Sequence, residues 1–112
     1  MRIKLKRGND RNLKVNVTDA AGAAVDITGW NVRFTVKKLA SQTDAEAIIN
    51  KLVTVHENAA GGITNIPING VDTDTQPVGN YMFDLRVRDQ ANKEHSSDTG
   101  AFVLVQEITD EV

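Results

Sequence analysis

The residues best equipped for chemistry are few. His56 and His95 are the two histidines. His95 opens "HSSD", so Ser96, Ser97 and Asp98 stand beside it in the residue types of a nucleophile, base and orienter. Such triads draw their members from separated segments and need an oxyanion hole, and neighbours on one short stretch supply neither. No second ligand stands at a metal-binding spacing such as HxxxH. Both histidines sit in polar stretches, "VHEN" and "KEHSS", which predicts solvated imidazoles. Asp72 and Asp74 alternate in "VDTDTQ" as calcium-loop carboxylates do. Counted from Asp72, however, the sixth position is Pro77 and the twelfth is Phe83, where an EF-hand needs glycine and glutamate. An Asx-turn ahead of a strand accounts for the pair. Gly61-Gly62 is followed by no Gly-Lys-Ser/Thr and makes no phosphate loop. The absence of cysteine excludes disulfides, thiolate catalysis and cysteine-based zinc sites. The expectation is a protein that is not an enzyme, with no metal and no cofactor.

Charge is more informative than catalysis. Arg2, Lys4, Lys6, Arg7, Arg11 and Lys14 make the first stretch basic, with Asp10 the one acid among them. The last stretch, "QEITDEV", is acidic through Glu107, Asp110 and Glu111. The plain reading is solvated outer faces, with lysines guarding an edge strand against stray pairing. The sharper reading sets the first and last strands side by side, or one subunit's basic end against the next one's acidic end in a homo-oligomer. Candidate partner contacts are Lys4, Lys6, Arg7 and Arg11 of the first strand, and Asp72, Asp74 and Gln76 of the loop "VDTDTQPVGN". The net charge of −2 leaves no global basic footprint for nucleic acid.

The elements that must position these residues read as strands. "NLKVNV" sends Leu13, Val15 and Val17 one way, and "WNVRFTVK" sends Trp30, Val32, Phe34 and Val36 one way. "YMFDLRVR" does the same with Tyr81, Phe83, Leu85 and Val87, and "FVLVQ" with Phe102 and Leu104. This period of two marks half-buried strands of an antiparallel sheet. Asp19 with Gly22, Gly29, Asn58 with Gly61-Gly62, Asn69-Gly70, and Asp89 to Asn92 supply the turns. "ITNIPI" carries Pro67, which predicts an edge strand or a bulge, and Ile63 is out of phase with Ile66 and Ile68. In "TDAEAIINKLVTV", residues 43–55, a helix capped by Thr43 or Asp44 with Glu46 in its first turn competes with a strand. Its all-β surroundings favour the strand, with Ile49, Val53 and Val55 inward and Lys51 breaking the run. The length of 112 residues suits one domain, spanning 1–112. No apolar run approaches the ~20 residues of a membrane helix. The charged start lacks the apolar core of a signal peptide, so synthesis in the cytoplasm is expected.

The aromatics are placed inside. Trp30 and Phe34 share an inward parity, and a core role is favoured over a stacking platform for sugars or bases. Tyr81 follows Gly79-Asn80 at a strand start, where sandwich folds turn a tyrosine hydroxyl back onto the preceding loop. Phe83→Ala should cost about 3–5 kcal/mol. The expected fold class is all-β, an Ig-like antiparallel β-sandwich of about seven or eight strands.

The order of these features resembles a known family. An extended strand in "RGNDRNLKVNVTDAAGAAVDITGWNVRFTVKK" leads through a small-residue turn to Asp-Ile-Thr-Gly-aromatic. "DAEAIINK" and "GGITNIPI" follow, then "DTDTQPVGNYMFDLRVRD" with Gly-x-Tyr and Asp-Leu-Arg-Val, and "SSDTGAFVLVQEIT". From about Arg7 to Thr109 this is similar to the Ig-like N-terminal domain of phage baseplate upper proteins and related small phage and prophage virion proteins. The resemblance implies a structural or protein-docking module of a baseplate, tail or decoration, assembled into a virion against other virion or tail proteins. It carries no catalytic residues over. In that family the domain often leads a longer chain, whereas this sequence stops at Val112, which suggests a decoration, adaptor or tail-associated role. The runner-up is a carbohydrate-binding or adhesin-type sandwich, which needs Trp30 or Tyr81 at the surface.

Overall fold

Bulky β-branched and aromatic side chains at every second position make extended backbone the conformation that buries one face. The computed structural model describes residues 2–39 and 46–106, apart from the side chains of Ser96 and Ser97. Seven strands lie within that range: β1 Arg2–Lys6, β2 Arg11–Asn16, β3 Asn31–Lys37, β4 Ile49–Val53, β5 Ile63–Ile68, β6 Gly79–Arg88 and β7 Glu94–Val105. Five form one sheet in the order β1-β7-β6-β3-β4, and β2 and β5 form the second. The architecture is an all-β sandwich. It is not wholly antiparallel, because β1 runs parallel to β7, from Arg2 opposite Ala101 to Lys6 opposite Val105. The first and last strands do lie side by side, as the sharper reading of the charge pattern held. Glu107, Asp110 and Glu111 lie outside the described residues.

The core fills the space between the sheets. Ile3, Leu5, Val32, Phe34, Val36, Tyr81, Phe83, Val87, Phe102 and Leu104 face inward from the large sheet, opposite Ile66 and Ile68. Phe34 is central, with ring centroids 5.7 Å from Phe83 and 6.4 Å from Phe102. Leu13 and Val15 are half-buried and Val17 is buried, as their parity predicts. Pro67 lies on β5, opposite Asn12 of β2. The Val17 N–H donates to the Gly62 carbonyl at 2.7 Å, so odd-numbered residues of β2 make the ladder bonds to β5. Asn12 and Pro67 therefore form a non-hydrogen-bonded pair, and the missing N–H of proline costs no ladder bond. This is the edge-strand answer, and the register is unbroken. Ile63 is out of phase because it faces the other side of a regular strand, where Thr64 takes the buried position.

Residues 49–53 are strand, in register with β3 from Val36 opposite Ile49 to Val32 opposite Val53. Thr43 and Asp44 lie outside the described residues. Ile49 is buried and Val53 half-buried, but Val55 is 86% exposed, against expectation. The strand ends at Val53, so the chain has left the pleat before Val55 is reached. Trp30 also departs from expectation. It precedes β3 and is half-buried at the rim, packed against the core without entering it.

The tyrosine placement holds. The Tyr81 hydroxyl donates to the Pro77 carbonyl at 2.6 Å while its ring is buried. Burial also pushes the phenol above its ordinary pKa. Tyr81→Phe keeps the ring and leaves that carbonyl without the hydroxyl. It should lower stability by about 0.5–1.5 kcal/mol, measured by denaturant titration.

Candidate docking surface

β1 and β2 are joined by a turn that crosses from the large sheet to the small one. Arg7 stays tied to the large sheet, its N–H donating to the Val105 carbonyl at 3.0 Å. Gly8 then adopts φ +83°. Its N–H donates at 2.9 Å to the hydroxyl of Thr73, a fully buried side chain in the loop after β5. The Asp10 carboxylate accepts from the Gly70 N–H. The Arg7 guanidinium reaches the Gln76 carbonyl at 3.4 Å, and the Arg11 guanidinium donates to the Lys4 carbonyl at 2.9 Å. The contact is close: a Cβ on Gly70 would overlap the Gly8 carbonyl. The basic first strand and the "VDTDTQPVGN" loop are thus one continuous surface at one end of the sandwich.

Within it, Lys4 and Lys6 are exposed on β1 beside the outer face of β7. Asp72 closes a 3-10 turn at Gly70–Asp72. Its carboxylate accepts from the Asn69 N–H at 2.8 Å and pairs with Lys51 at 3.0 Å. That differs from the expected Asx-turn, because the carboxylate reaches back along the chain and across to β4. Lys51, the residue that interrupts the inward run of β4, is thereby the tie between that strand and the loop. Asp74 is exposed and Gln76 half-buried. All seven candidate contact residues belong to this end. Sequence reasoning missed its apolar members, Val71 and Val78, which are 75% and 40% exposed. Their signal was two valines among turn formers, with no strand to bury them.

The histidines lie at the opposite end, and neither is simply solvated. The two ring nitrogens of His56 lie 2.8 Å from the Thr64 hydroxyl and 2.8 Å from the Trp30 carbonyl. His95 stacks on the Trp30 indole at 4.4 Å, and its Nε2 lies 2.7 Å from the Asp89 carboxylate. One face of Trp30 is therefore covered, and no open aromatic platform forms there. Asp89 also accepts from the N–H groups of Ala91 and Lys93, which closes the expected turn. Among the described residues, no group of three or more His, Cys, Asp or Glu side chains could hold a metal ion.

The His95 hydrogen bond, with the Lys93 and Ala91 amides, holds the Asp89 carboxyl below the ordinary value of 3.8. The Thr28 hydroxyl and N–H do the same for Asp26. A carboxyl lowered in the folded state contributes stability above its unfolded pKa, and that contribution is lost as pH falls through the folded value. Stability should therefore decline as pH drops below about 4, and Asp89→Asn should flatten part of that decline in thermal unfolding between about pH 2 and 6.

No protein-family model matches the chain, and no curated protein is similar to it in sequence. Among solved structures the chain is similar to the N-terminal domain of phage TP901-1 ORF48. The TM-score is 0.58 at 18% sequence identity, over 93% of this chain and 84% of that one. The likeness is one of fold: an all-β sandwich shared over nearly the full length.

Proposed function

We propose that this chain is a structural, protein-docking module of a phage or prophage particle, an Ig-like sandwich that works without catalysis. It joins a baseplate, tail or decoration by binding other virion proteins. The likeness in fold to a phage protein domain supports the class of protein. The observation that carries the mechanism is the fusion of β1 with the loop after β5 into one rigid surface. Lys4, Lys6, Arg7 and Arg11 supply cations there, Asp72 and Asp74 supply anions, Gln76 adds an amide, and Val71 and Val78 supply apolar contact. Hydrogen-bonded turns hold the backbone that carries this array before a partner arrives, so little backbone ordering entropy is spent on binding.

The test mixes the purified protein with virion and tail proteins encoded beside it and measures the mass of the complexes by light scattering. Lys4→Glu with Lys6→Glu, both on exposed side chains, should leave the melting temperature unchanged. The pair should weaken the complex by roughly tenfold or more and reduce its salt sensitivity. Complexes that form equally well after this reversal and after Val71→Asp would overturn the assignment of the surface. A gene neighbourhood of metabolic enzymes would overturn the phage reading itself.

A further inference from the structure

The two sheets are unequal, and the two strands of the small one cannot cover the inner face of five. The uncovered strip is a slot of about 450 Å³ running along β2. Its walls are Leu13, Val15, Ile66, Phe34, Phe83 and Leu85. Asn12 and Lys14 line it as well as Leu13 and Val15, so both parities of β2 border it. A slot bordered by both parities follows the edge of a strand and does not lie beneath one face.

Among the described residues that edge is unpaired, and β2 is bonded to β5 alone, through its odd-numbered residues. The N–H and C=O groups of Asn12, Lys14 and Asn16 therefore point away from β5, toward the slot side. The opposite edge of the same sheet carries Pro67, which has no N–H to offer. No such block stands on β2. The Arg11 guanidinium, which lines the slot, donates to the Lys4 carbonyl at 2.9 Å. Arg2, Arg11 and Lys14 rim it, and no acidic side chain is among its lining residues. The side chains of Arg2 and Lys14 have no hydrogen-bonded or ion-paired partner among the described residues.

We infer that β2 accepts an extended segment of another protein as a third strand of the small sheet, and that this segment alternates apolar with acidic residues. The apolar side chains enter the slot against Leu13, Val15 and Leu85. The backbone bonds the free groups of Asn12, Lys14 and Asn16. The carboxylates meet Arg2, Arg11 and Lys14. The same basic rim disfavours a second copy pairing edge to edge through β2, because like charges would face each other across the new ladder.

The probe is a capped synthetic peptide of about seven residues alternating valine with aspartate, long enough to span the strand. A control peptide carries lysine in place of aspartate. With the acidic peptide at millimolar concentration, amide exchange at Asn12, Lys14 and Asn16 should slow by about tenfold or more, while odd-numbered β2 amides change little. The lysine peptide should give no protection. Arg2→Glu with Lys14→Glu, both on exposed side chains, should reverse the preference and admit the lysine peptide. Unchanged exchange at the three even-numbered amides overturns the inference, as do equal protection by both peptides and protection on β1 or β4 instead. A dimer that protects the same amides without peptide also overturns it. The readout involves no virion protein, so it can fail or succeed independently of the proposed function.

Discussion

Phe34→Ala should destabilise the protein by about 3–5 kcal/mol, the range for removing a fully buried aromatic ring. Phe34 is 1% exposed and lies on β3, between β6 and β4. Its ring packs against both other phenylalanines, so its removal takes an aromatic neighbour from each as well as emptying its own volume. A domain of this size has roughly 5–15 kcal/mol of stability in all. The loss should lower the melting temperature by about 10–20 °C, followed by circular dichroism. Phe34→Leu refills most of the cavity and should recover more than half of the loss. A loss under about 1.5 kcal/mol would show that the neighbouring slot lets the core collapse into the cavity, and that Phe34 is not its keystone.

Gly62→Ala is the second large effect, and its cause is backbone rather than core. Gly62 has φ +72°, and a Cβ there would stand 2.6 Å from the Val17 carbonyl oxygen and 2.7 Å from that of Val25. Neither oxygen can swing aside, because both belong to backbone held in a bonded cluster. Val17 donates to Gly62 at 2.7 Å, and Val25 donates to Val17 at 3.0 Å. The left-handed conformation costs about 1–2 kcal/mol with a side chain, and the forced backbone shift brings the total to about 2–4 kcal/mol. Gly22 is the internal control, with φ +83° and no atom within 4 Å of an added Cβ. Gly22→Ala should cost only the conformational part, about 1–2 kcal/mol. The difference is read from denaturant midpoints at constant slope. Equal losses at the two positions would mean that the Val17 and Val25 carbonyls give way freely.

The strand faces could be read because burial on one side of a pleat leaves a local trace: Val32, Phe34 and Val36 alternate with Asn31, Arg33, Thr35 and Lys37. The same held for Tyr81, whose hydroxyl partner, Pro77, is a local neighbour in sequence. The first seven residues of β7, "EHSSDTG", left no such trace. β1 pairs with β7 only from Ala101 onward, and no apolar alternation marks the earlier residues. His56 was misread for a related reason. Its two polar partners, the Trp30 carbonyl and the Thr64 hydroxyl, come from other segments, so a polar stretch concealed a ring bonded at both nitrogens.

The candidate surface divides in the same way. Its charged members were visible as residue types, because a run of lysine and arginine or an alternating Asp-Thr pair is a property of neighbours. That Arg7, Gly8 and Asp10 meet Gly70, Thr73 and Gln76 depends on contacts across some sixty residues or more. The amino-acid sequence by itself determined the extended backbone, the inward faces and the positions of most turns, since each follows from side chains within a few residues of one another. Only the tertiary structure decided the unequal sheets, the parallel pairing of β1 with β7, and the joining of the first strand's turn to the loop after β5. Pairing and register join distant segments through backbone groups that every residue carries, and identical groups hold no record of which partner they will meet.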